Sequence, residues 1–298
     1  MTDHLELKAY GKINLGLDVV RKREDGYHEV RMIMQTVSLY DKIVVDKSGR
    51  QGIRTETSLP YVPDGEGNLA YRAAKLLLDE FQITEGVEIR IKKCIPVAAG
   101  MAGGSTDAAA VLVGINRMFD LGLTRRELMA RGLKLGADVP YCILRGTALS
   151  EGIGEVLTEL PAAPRCHVVL AKPQVSVSMK AVCGKIKVAE LKKEEHPDID
   201  GMVKAIQKRD LDGVTARLGN VLETITIPEH PEIGTIKKIL LDHGAGGALM
   251  SGSGPTVFGI FKSREAAEEA CGYLKEAENG RLTRQVYLTS FFNRKSAR

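Results

Sequence analysis

The sequence predicts an α+β protein of two domains, residues 1–161 and residues 162–298. Three patterns favour this class. The chain opens with the alternation of apolar and polar residues that is typical of strands. A glycine-rich connection later leads from a strand into an alanine-rich helix. From residue 167 onward the predicted elements follow the order strand, helix, strand, strand, helix, strand of a ferredoxin-like unit, and we place the boundary at the Pro- and Ala-rich stretch of residues 161–164.

The composition is that of an ordinary globular protein, and it excludes several classes of function. The 298 residues are 44% hydrophobic and 27% charged, and the net charge is only +4. The basic residues are dispersed, there is no tryptophan, and no run combines aromatic residues with a basic stripe, so we expect no nucleic-acid partner. A mild positive potential instead suits an anionic small-molecule substrate.

Cysteine usage and the start of the chain predict a cytoplasmic protein. The five cysteines are scattered and form no CxxC pair, which argues against a disulfide framework or a zinc site and favours a reducing compartment. The first ten residues carry charges and no apolar signal core. No apolar run reaches the length of a membrane span, so we expect no membrane association.

The first β segment is predicted over "HLELKAYGKINLGLDVV", as one strand or as two strands in one register. Its apolar residues fall on odd positions and its polar residues on even positions. Lys12 and Asn14 therefore project from the same face, away from the core. A second β segment follows near residues 32–45. A helix is predicted over residues 68–81 with Asn68 as its cap, and the next strand is predicted over residues 87–92.

The stretch "PVAAGMAGGSTDAAA", residues 96–110, connects that strand to a helix. Gly100, Gly103 and Gly104 loosen the backbone directly before a run of alanines, the strongest helix formers. Ser105 and Thr106 are natural N-caps. Such a loop can bind phosphate through its backbone N–H groups and the helix dipole, but it can equally be a plain turn. The standard P-loop and dinucleotide-binding motifs are both absent.

The remaining helices and strands are predicted from hydrophobic periodicity and from helix-breaking residues. A helix over residues 108–119 carries one apolar stripe, and another over residues 124–135 is stopped by Gly136. Pro140 is expected to hold Val139 extended, which leaves Asp138 in a tight connection. The second domain is predicted to contain a strand at residues 167–172, short helices near Met179 and over residues 199–218, a helix near residues 233–241, two strands joined by "SGSGP", a helix at residues 264–276 and the final strand "RQVYLTSFF".

Several short motifs carry polar groups that could do chemistry, and each also has a simpler interpretation. Lys12 and Asn14 fit two solvated residues on an exposed strand face, and Asp138 in "GADVP" fits a turn residue. Tyr27 and His28 in "GYH" could stack on a heterocyclic base and hydrogen-bond it, but they also fit an ordinary loop tip. "SGSGP" fits a hairpin turn.

Taken in order, however, "GKINLGLDVV", "GYHEV", "PVAAGMAGGSTDAAA", "GADVP" and "MSGSGPTVF" resemble the motifs of the GHMP kinases. The resemblance implies a ribosomal protein S5 domain 2-like N-terminal unit, a ferredoxin-like C-terminal unit, and the use of ATP and Mg²⁺. It also implies that the glycine-rich loop wraps the ATP phosphates. The residues implied in ATP binding are Pro96, Val97, Ala98, Ala99, Gly100, Met101, Ala102, Gly103, Gly104, Ser105, Thr106 and Asn68; metal ligands are not assigned.

By the same resemblance, Lys12 and Asp138 carry catalysis, with Asp138 accepting the hydroxyl proton and Lys12 stabilising the alkoxide. "GYH" and "GADVP" are similar to the branch of the family that phosphorylates the 2-hydroxyl of 4-diphosphocytidyl-2-C-methyl-D-erythritol, in the non-mevalonate route to isopentenyl diphosphate. In that case Tyr27 would stack on the cytosine and His28 would hydrogen-bond its edge. Asn14 would help to hold the substrate near Lys12.

Some positions depart from the family pattern, and two alternatives stay open. Met101 and Thr106 stand where Leu and Ser are common. Met179 stands where the family often offers a threonine to the substrate, so Ser176 or Ser178 could supply that contact.

The chain could phosphorylate another small alcohol, as mevalonate and homoserine kinases do, or it could be a nucleotide-binding sensor without catalysis. We expect a monomer or a homodimer.

Overall fold

The computed structural model describes residues 2–293. The strands are β1 (His4–Lys22), β2 (His28–Ser48), β3 (Ile53–Thr57), β4 (Gly86–Lys92), β5 (Thr147–Glu151), β6 (Val156–Glu159), β7 (His167–Pro173), β8 (Gly219–Asn220), β9 (Gly247–Met250), β10 (Val257–Phe261) and β11 (Thr283–Ser290). The α-helices are α1 (Leu69–Glu80), α2 (Gly103–Met118), α3 (Arg125–Leu133), α4 (Val139–Leu144), α5 (Met179–Lys185), α6 (Ile199–Gln207), α7 (Leu211–Thr215), α8 (Glu223–Glu229), α9 (Pro231–Asp242) and α10 (Arg264–Glu276).

The described chain packs into two compact units that exchange segments along the sequence. Unit 1 holds the described residues of Met1–Gly11, Leu39–Val97 and Ala102–Leu144. Unit 2 holds those of Lys12–Ser38, Ala98–Met101 and Arg145–Arg298. The boundaries of these units do not coincide with residue 161, because β1 and β2 are long strands that each contribute residues to both units. The predicted boundary between residues 161 and 162 stays a prediction.

Unit 1 packs helices against a small sheet. The second half of β2 pairs antiparallel with β4, from Lys42 opposite Lys92 to Ser48 opposite Gly86, and β3 pairs parallel with β4. The odd-numbered apolar residues of the paired segments of β2 and β4 are buried, as their alternation predicts: Ile43, Val45, Val87, Ile89 and Ile91. The helix α1 packs along α2, and α3 packs against α4. Buried alanines on α1 and α2 allow those two helices to lie close together.

Unit 2 contains the predicted ferredoxin-like arrangement. Its sheet has the strand order β11-β7-β10-β9, with antiparallel pairs throughout, and α9 and α10 pack on it. The first half of β2 pairs with β5, which pairs with β6, and β1 pairs with the short strand β8. The sequence pattern does not predict β3, β5, β6, β8 or α8. Within residues 2–293, no helix is both long enough and apolar enough to cross a lipid bilayer.

The helix starts confirm one predicted cap and correct two other predictions. Asn68 caps α1, because its side-chain oxygen accepts a hydrogen bond from Ala70 N. The prediction that Ser105 or Thr106 caps α2 is wrong: the helix begins at Gly103, and its N-cap is Ala102 in a left-handed conformation. The prediction of an extended Val139 is also wrong, because α4 begins at that residue. Pro140 lies in the first turn, where a helix needs no N–H donor from it.

Candidate active site

Lys12 and Asn14 lie on one face of β1, as predicted, but they are buried instead of solvated. The exposed fraction is 5% for Lys12 and 0% for Asn14. Lys12 Nζ donates a hydrogen bond of 2.7 Å to Asn14 Oδ1, and Asn14 Nδ2 contacts Met32 Sδ at 3.4 Å. Within the described residues, Lys12 forms no ion pair. Because a buried ammonium without an opposite charge is costly, this lysine is better explained by a ligand than by stability.

One end of the glycine-rich loop lies beside Lys12. Lys12 N donates to Met101 O at 3.2 Å, and Ser251 Oγ donates to Gly100 O at 2.9 Å. Gly100 has a φ of +72°, and a Cβ built there would lie 2.0 Å from Ser251 O. Only glycine fits this position, because both the backbone conformation and the close approach exclude a side chain. The "SGSGP" element therefore joins β9 to β10 and also supports the loop.

The "SGSGP" turn is held by Asn220, a residue that the sequence reading missed. Asn220 Nδ2 donates to Met250 O and Gly252 O, both at 2.8 Å, and its Oδ1 accepts from Leu222 N. A Cβ built on Gly252 would lie 3.6 Å from Asn14 Oδ1. Lys12, Asn14, Gly100 and the turn thus come together in unit 2.

The other end of the loop presents backbone donors in unit 1. The first intrahelical bond of α2 runs from Thr106 N to Ala102 O, so the N–H groups of residues 102–105 have no intrahelical acceptor. Ala102, the N-cap, adopts a left-handed conformation with a φ of +57°. Backbone of this kind turns neighbouring N–H groups toward a common anion, and the helix dipole adds partial positive charge. The loop therefore fits a phosphate group.

Two of the predicted nucleotide ligands already have partners within unit 1. Thr106 Oγ1 donates to Tyr10 O at 2.7 Å, so its hydroxyl proton is used inside the protein. Asn68 Nδ2 donates to Pro63 O at 3.0 Å while its Oδ1 caps α1. The capping explanation of Asn68 is thus confirmed. Its contact with the adenosine stays a prediction.

Asp138 directly precedes α4 in unit 1. Its backbone carbonyl accepts a hydrogen bond of 3.0 Å from Cys142 N, which starts the helix. The side chain is half-buried, and its carboxylate makes neither a hydrogen bond nor an ion pair with residues 2–293. A carboxylate without an internal partner is available to accept a proton from a ligand.

Tyr27 and His28 lie in unit 2 at the turn before β2. The Tyr27 side chain is 61% exposed, although its backbone is held by Asp25 Oδ1 and by Arg23 N. Burial, and after it the charge of Lys22, hold the pKa of His28 below its ordinary value. His28 is therefore neutral at pH 7, with one ring nitrogen as donor and the other as acceptor. An exposed ring beside a neutral imidazole suits an uncharged heterocycle.

No metal ligands can be assigned from the side chains alone. Among the described residues, no group of three or more His, Cys, Asp or Glu side chains is placed to hold a metal ion. Mg²⁺ in nucleotide-dependent enzymes is held largely by substrate phosphates and water, with one or two carboxylates. The backbone donors of the loop, which fit phosphate groups, are compatible with that mode.

Comparisons with known proteins connect these features to one family. Residues 68–146 match the GHMP kinases N terminal domain, and residues 202–279 match the GHMP kinases C terminal domain. A 4-diphosphocytidyl-2-C-methyl-D-erythritol kinase from Lachnoclostridium phytofermentans is 55% identical over 294 residues, which cover 99% of each chain. The chain belongs to the GHMP kinase family. The predicted resemblance and the two-domain α+β fold are confirmed.

Solved structures of GHMP kinases share this fold over nearly the whole chain. A crystal structure of 4-(cytidine 5'-diphospho)-2C-methyl-D-erythritol kinase superposes with a TM-score of 0.81 at 30% identity, covering 97% of this chain and 100% of the other. A homoserine kinase from Cytophaga hutchinsonii reaches a TM-score of 0.80 at 20% identity, covering 98% and 96%. At that identity the second likeness concerns the fold alone. As a GHMP kinase, the protein uses ATP.

Proposed function

We infer that this GHMP kinase transfers the γ-phosphoryl group of ATP to the 2-hydroxyl of 4-diphosphocytidyl-2-C-methyl-D-erythritol. The products are the 2-phosphate and ADP, and the reaction belongs to the non-mevalonate route to isopentenyl diphosphate. The near full-length identity of 55% to a relative of that name supports the substrate. The observation that carries the site is Lys12, a buried ammonium without an ion pair, bonded to Asn14 and through its backbone to Met101 of the loop.

The proposed chemistry divides among three groups of this chain. Asp138 accepts the proton of the acceptor hydroxyl while its oxygen bonds to the γ-phosphorus and the bond to the β,γ-bridging oxygen breaks. Lys12 stabilises the developing alkoxide, because an ammonium favours the deprotonated form of a nearby hydroxyl. The N–H groups of the loop and the first turn of α2 hold the phosphates and offset their charge. Mg²⁺ would supply further charge neutralisation when it is bound together with ATP.

The proposed acceptor site uses the turn before β2. Tyr27 offers an exposed ring on which cytosine can stack, and neutral His28 can both donate to and accept from the edge of the base. Asn14 orients the acceptor beside Lys12. Met179 stands where the family often offers a threonine to the substrate, and a nearby serine could replace that contact. The Ser178 hydroxyl already caps α5 by accepting a hydrogen bond from Ala181 N, so Ser176 is the better candidate.

Replacement of Tyr27 by alanine tests cytidine recognition. We expect Tyr27→Ala to raise KM for the cytidylated acceptor about 10-fold to 100-fold, because base stacking on an aromatic ring contributes roughly 1–3 kcal/mol. The KM for ATP should stay the same, and a steady-state ADP-release assay measures both constants. Tyr273→Ala is a matched control, since Tyr273 is also about half exposed but lies on α10 against His243. An unchanged acceptor KM in Tyr27→Ala means that the ring does not bind the base.

The two alternatives make different predictions. A mevalonate or homoserine kinase has an acceptor without a base, and it gains nothing from an exposed tyrosine beside a neutral histidine. A non-catalytic sensor needs neither an unpaired lysine nor an unpaired carboxylate, and both occur here. A small-molecule substrate follows from the family. The cytoplasmic location, the monomer or homodimer, and the absence of nucleic-acid and membrane partners stay predictions.

A further inference from the structure

A buried charged cluster lies beneath the start of α2 in unit 1. It consists of Asp41 on β2, Lys93 directly after β4, and Asp107 on α2. Lys93 Nζ donates to Asp41 Oδ2 at 2.5 Å and to Asp107 Oδ2 at 2.7 Å. The three side chains are at most 5% exposed. Two carboxylates thus share one ammonium, which leaves the fully ionised cluster with a net charge of −1.

The cluster contacts the chain on both sides of the glycine-rich loop. Asp41 Oδ1 accepts from the backbone N–H groups of Cys94 and Ile95, at 2.5 and 2.8 Å, in the segment that enters the loop. Asp107 belongs to the second turn of α2, the helix that receives the loop. Lys93 joins these two carboxylates. The cluster therefore connects the segment before the loop, at Cys94 and Ile95, to the helix after it, at Asp107.

The ammonium also lies directly against the phosphate-binding end of the helix. A Cβ built on Gly103 would lie 3.3 Å from Lys93 Nζ. The second oxygen of Asp107, Oδ1, is buried without a hydrogen-bond partner. A buried carboxylate oxygen without a partner destabilises a fold, and such groups are retained at functional sites. The cluster therefore lowers the stability of the fold, and it lies next to the glycine-rich loop.

We propose that Asp41, Lys93 and Asp107 hold the glycine-rich loop in its phosphate-binding conformation, with Asp107 as a positioning residue for ATP. This inference rests on the proposed use of the loop for the ATP phosphates. Asp107 does not touch the nucleotide. It fixes the first turns of α2 relative to the segment after β4, and it sets the charge beneath the N–H groups that receive the phosphates.

The protonation state of the cluster provides a readout that a purely structural role lacks. Burial, partly opposed by Lys93 and reinforced by Asp41, raises the pKa of Asp107 to about 8. Burial lowers the pKa of Lys93, but Asp107 and Asp41 outweigh it and the net direction is upward. Lys93 and Asp41 are the charged groups that act on Asp107, and Cys94 is the next titratable residue in the segment. As pH rises past 8, Asp107 gains a negative charge near the phosphate site, so ATP should bind more weakly.

The experiment compares the full-length wild type with Asp107→Ala and Asp107→Asn. We expect Asp107→Ala to raise both KM and Kd for ATP about 10-fold at pH 7, a typical size for an indirect effect on binding, with the acceptor KM unchanged. Asp107→Asn keeps the shape and a bond to Lys93, so its constants should match the wild type at pH 7. Between pH 7 and pH 9 the wild-type KM for ATP should rise about 5-fold, and in Asp107→Asn this rise should disappear.

Asp46→Asn is the matched control, because Asp46 also joins β2 to β4, through an ion pair of 2.6 Å with Arg90, but its side chain is 24% exposed. It should keep the wild-type pH profile, including any contribution from the titration of ATP itself. If Asp107→Ala does not fold, the profile of Asp107→Asn decides alone. Wild-type KM and Kd values for ATP in both variants would overturn the inference, and so would a rise in the acceptor KM as large as the rise in the KM for ATP. Neither result would contradict the use of ATP. A wild type that binds no ATP overturns the proposed function and this inference together.

Discussion

Asp138→Asn is expected to lower kcat about 1,000-fold, which lies within the range that general base catalysis contributes. Asparagine preserves the size of the side chain but cannot accept the hydroxyl proton. The carboxylate has no internal partner among residues 2–293, so its loss should leave the fold and the KM for ATP nearly unchanged. The measurement is steady-state ADP release at saturating ATP and acceptor, combined with direct titration of ATP binding.

Asp120→Asn is the control for this experiment. Asp120 is exposed and has a φ of +51°, a left-handed conformation that asparagine tolerates well. Its kcat should equal that of the wild type. A wild-type kcat in Asp138→Asn would remove this residue as the base. A loss of ATP binding in parallel with kcat would assign it to the nucleotide site instead.

Lys12→Met is expected to lower kcat about 100-fold to 1,000-fold, the usual effect of removing one donor that stabilises transition-state charge. The same variant should not lose stability. Because Lys12 is buried with only Asn14 Oδ1 as a side-chain partner, an apolar side chain of similar length removes a desolvated charge, and Tm should rise. A turnover assay checks the expected fall in kcat, and thermal unfolding checks the expected rise in Tm.

Lys172→Met is the matched control for Lys12→Met. Lys172 on β7 also forms no ion pair among the described residues; its Nζ donates to the carbonyls of Pro173 and Val175, and burial lowers its pKa. Its replacement should leave kcat unchanged. If Lys12→Met instead lowers Tm and keeps the wild-type kcat, the lysine has a structural role and the proposed chemistry is wrong.

Periodicity predicted much of the fold, and it failed where a strand face is covered by a distant segment. The alternation in β1 places Lys12 and Asn14 on the same face, which the structure confirms. It cannot report what covers that face. A Cβ built on Gly16, on the same side of β1, would lie 2.7 Å from Ile199 Cδ1, so α6 covers the strand there. That contact spans more than 180 residues, which local patterns do not encode.

The glycine-rich loop was recognised from its composition, but its local geometry was not. Ser105 and Thr106 are good N-caps by residue type, yet the left-handed Ala102 starts α2 earlier and Thr106 bonds to Tyr10 O. The preference of certain residue types for the N-cap predicts a helix start poorly where the backbone before the helix has another role as well. The roles of Lys12, Asp138, Tyr27 and the loop came from the resemblance to the family, not from the spacing of the residues.

The charged cluster left a signal in the sequence that alternation could have found. Asp41 continues the buried phase of Ile43 and Val45 on β2, and Lys93 continues the buried phase of Ile89 and Ile91 on β4. Opposite charges at core-facing positions of two strands indicate a buried ion pair. Asp107 could not be found in this way, because its place beside Lys93 depends on how α2 packs.

The most direct test of the proposed function is an ADP-release assay with ATP and Mg²⁺ across a panel of acceptors. The panel contains 4-diphosphocytidyl-2-C-methyl-D-erythritol, methylerythritol phosphate, mevalonate, homoserine and galactose. We predict turnover with the cytidylated alcohol alone, because only that acceptor can use Tyr27 and His28. Comparable turnover with any other acceptor, or no turnover with all five while ATP binds, would contradict the account.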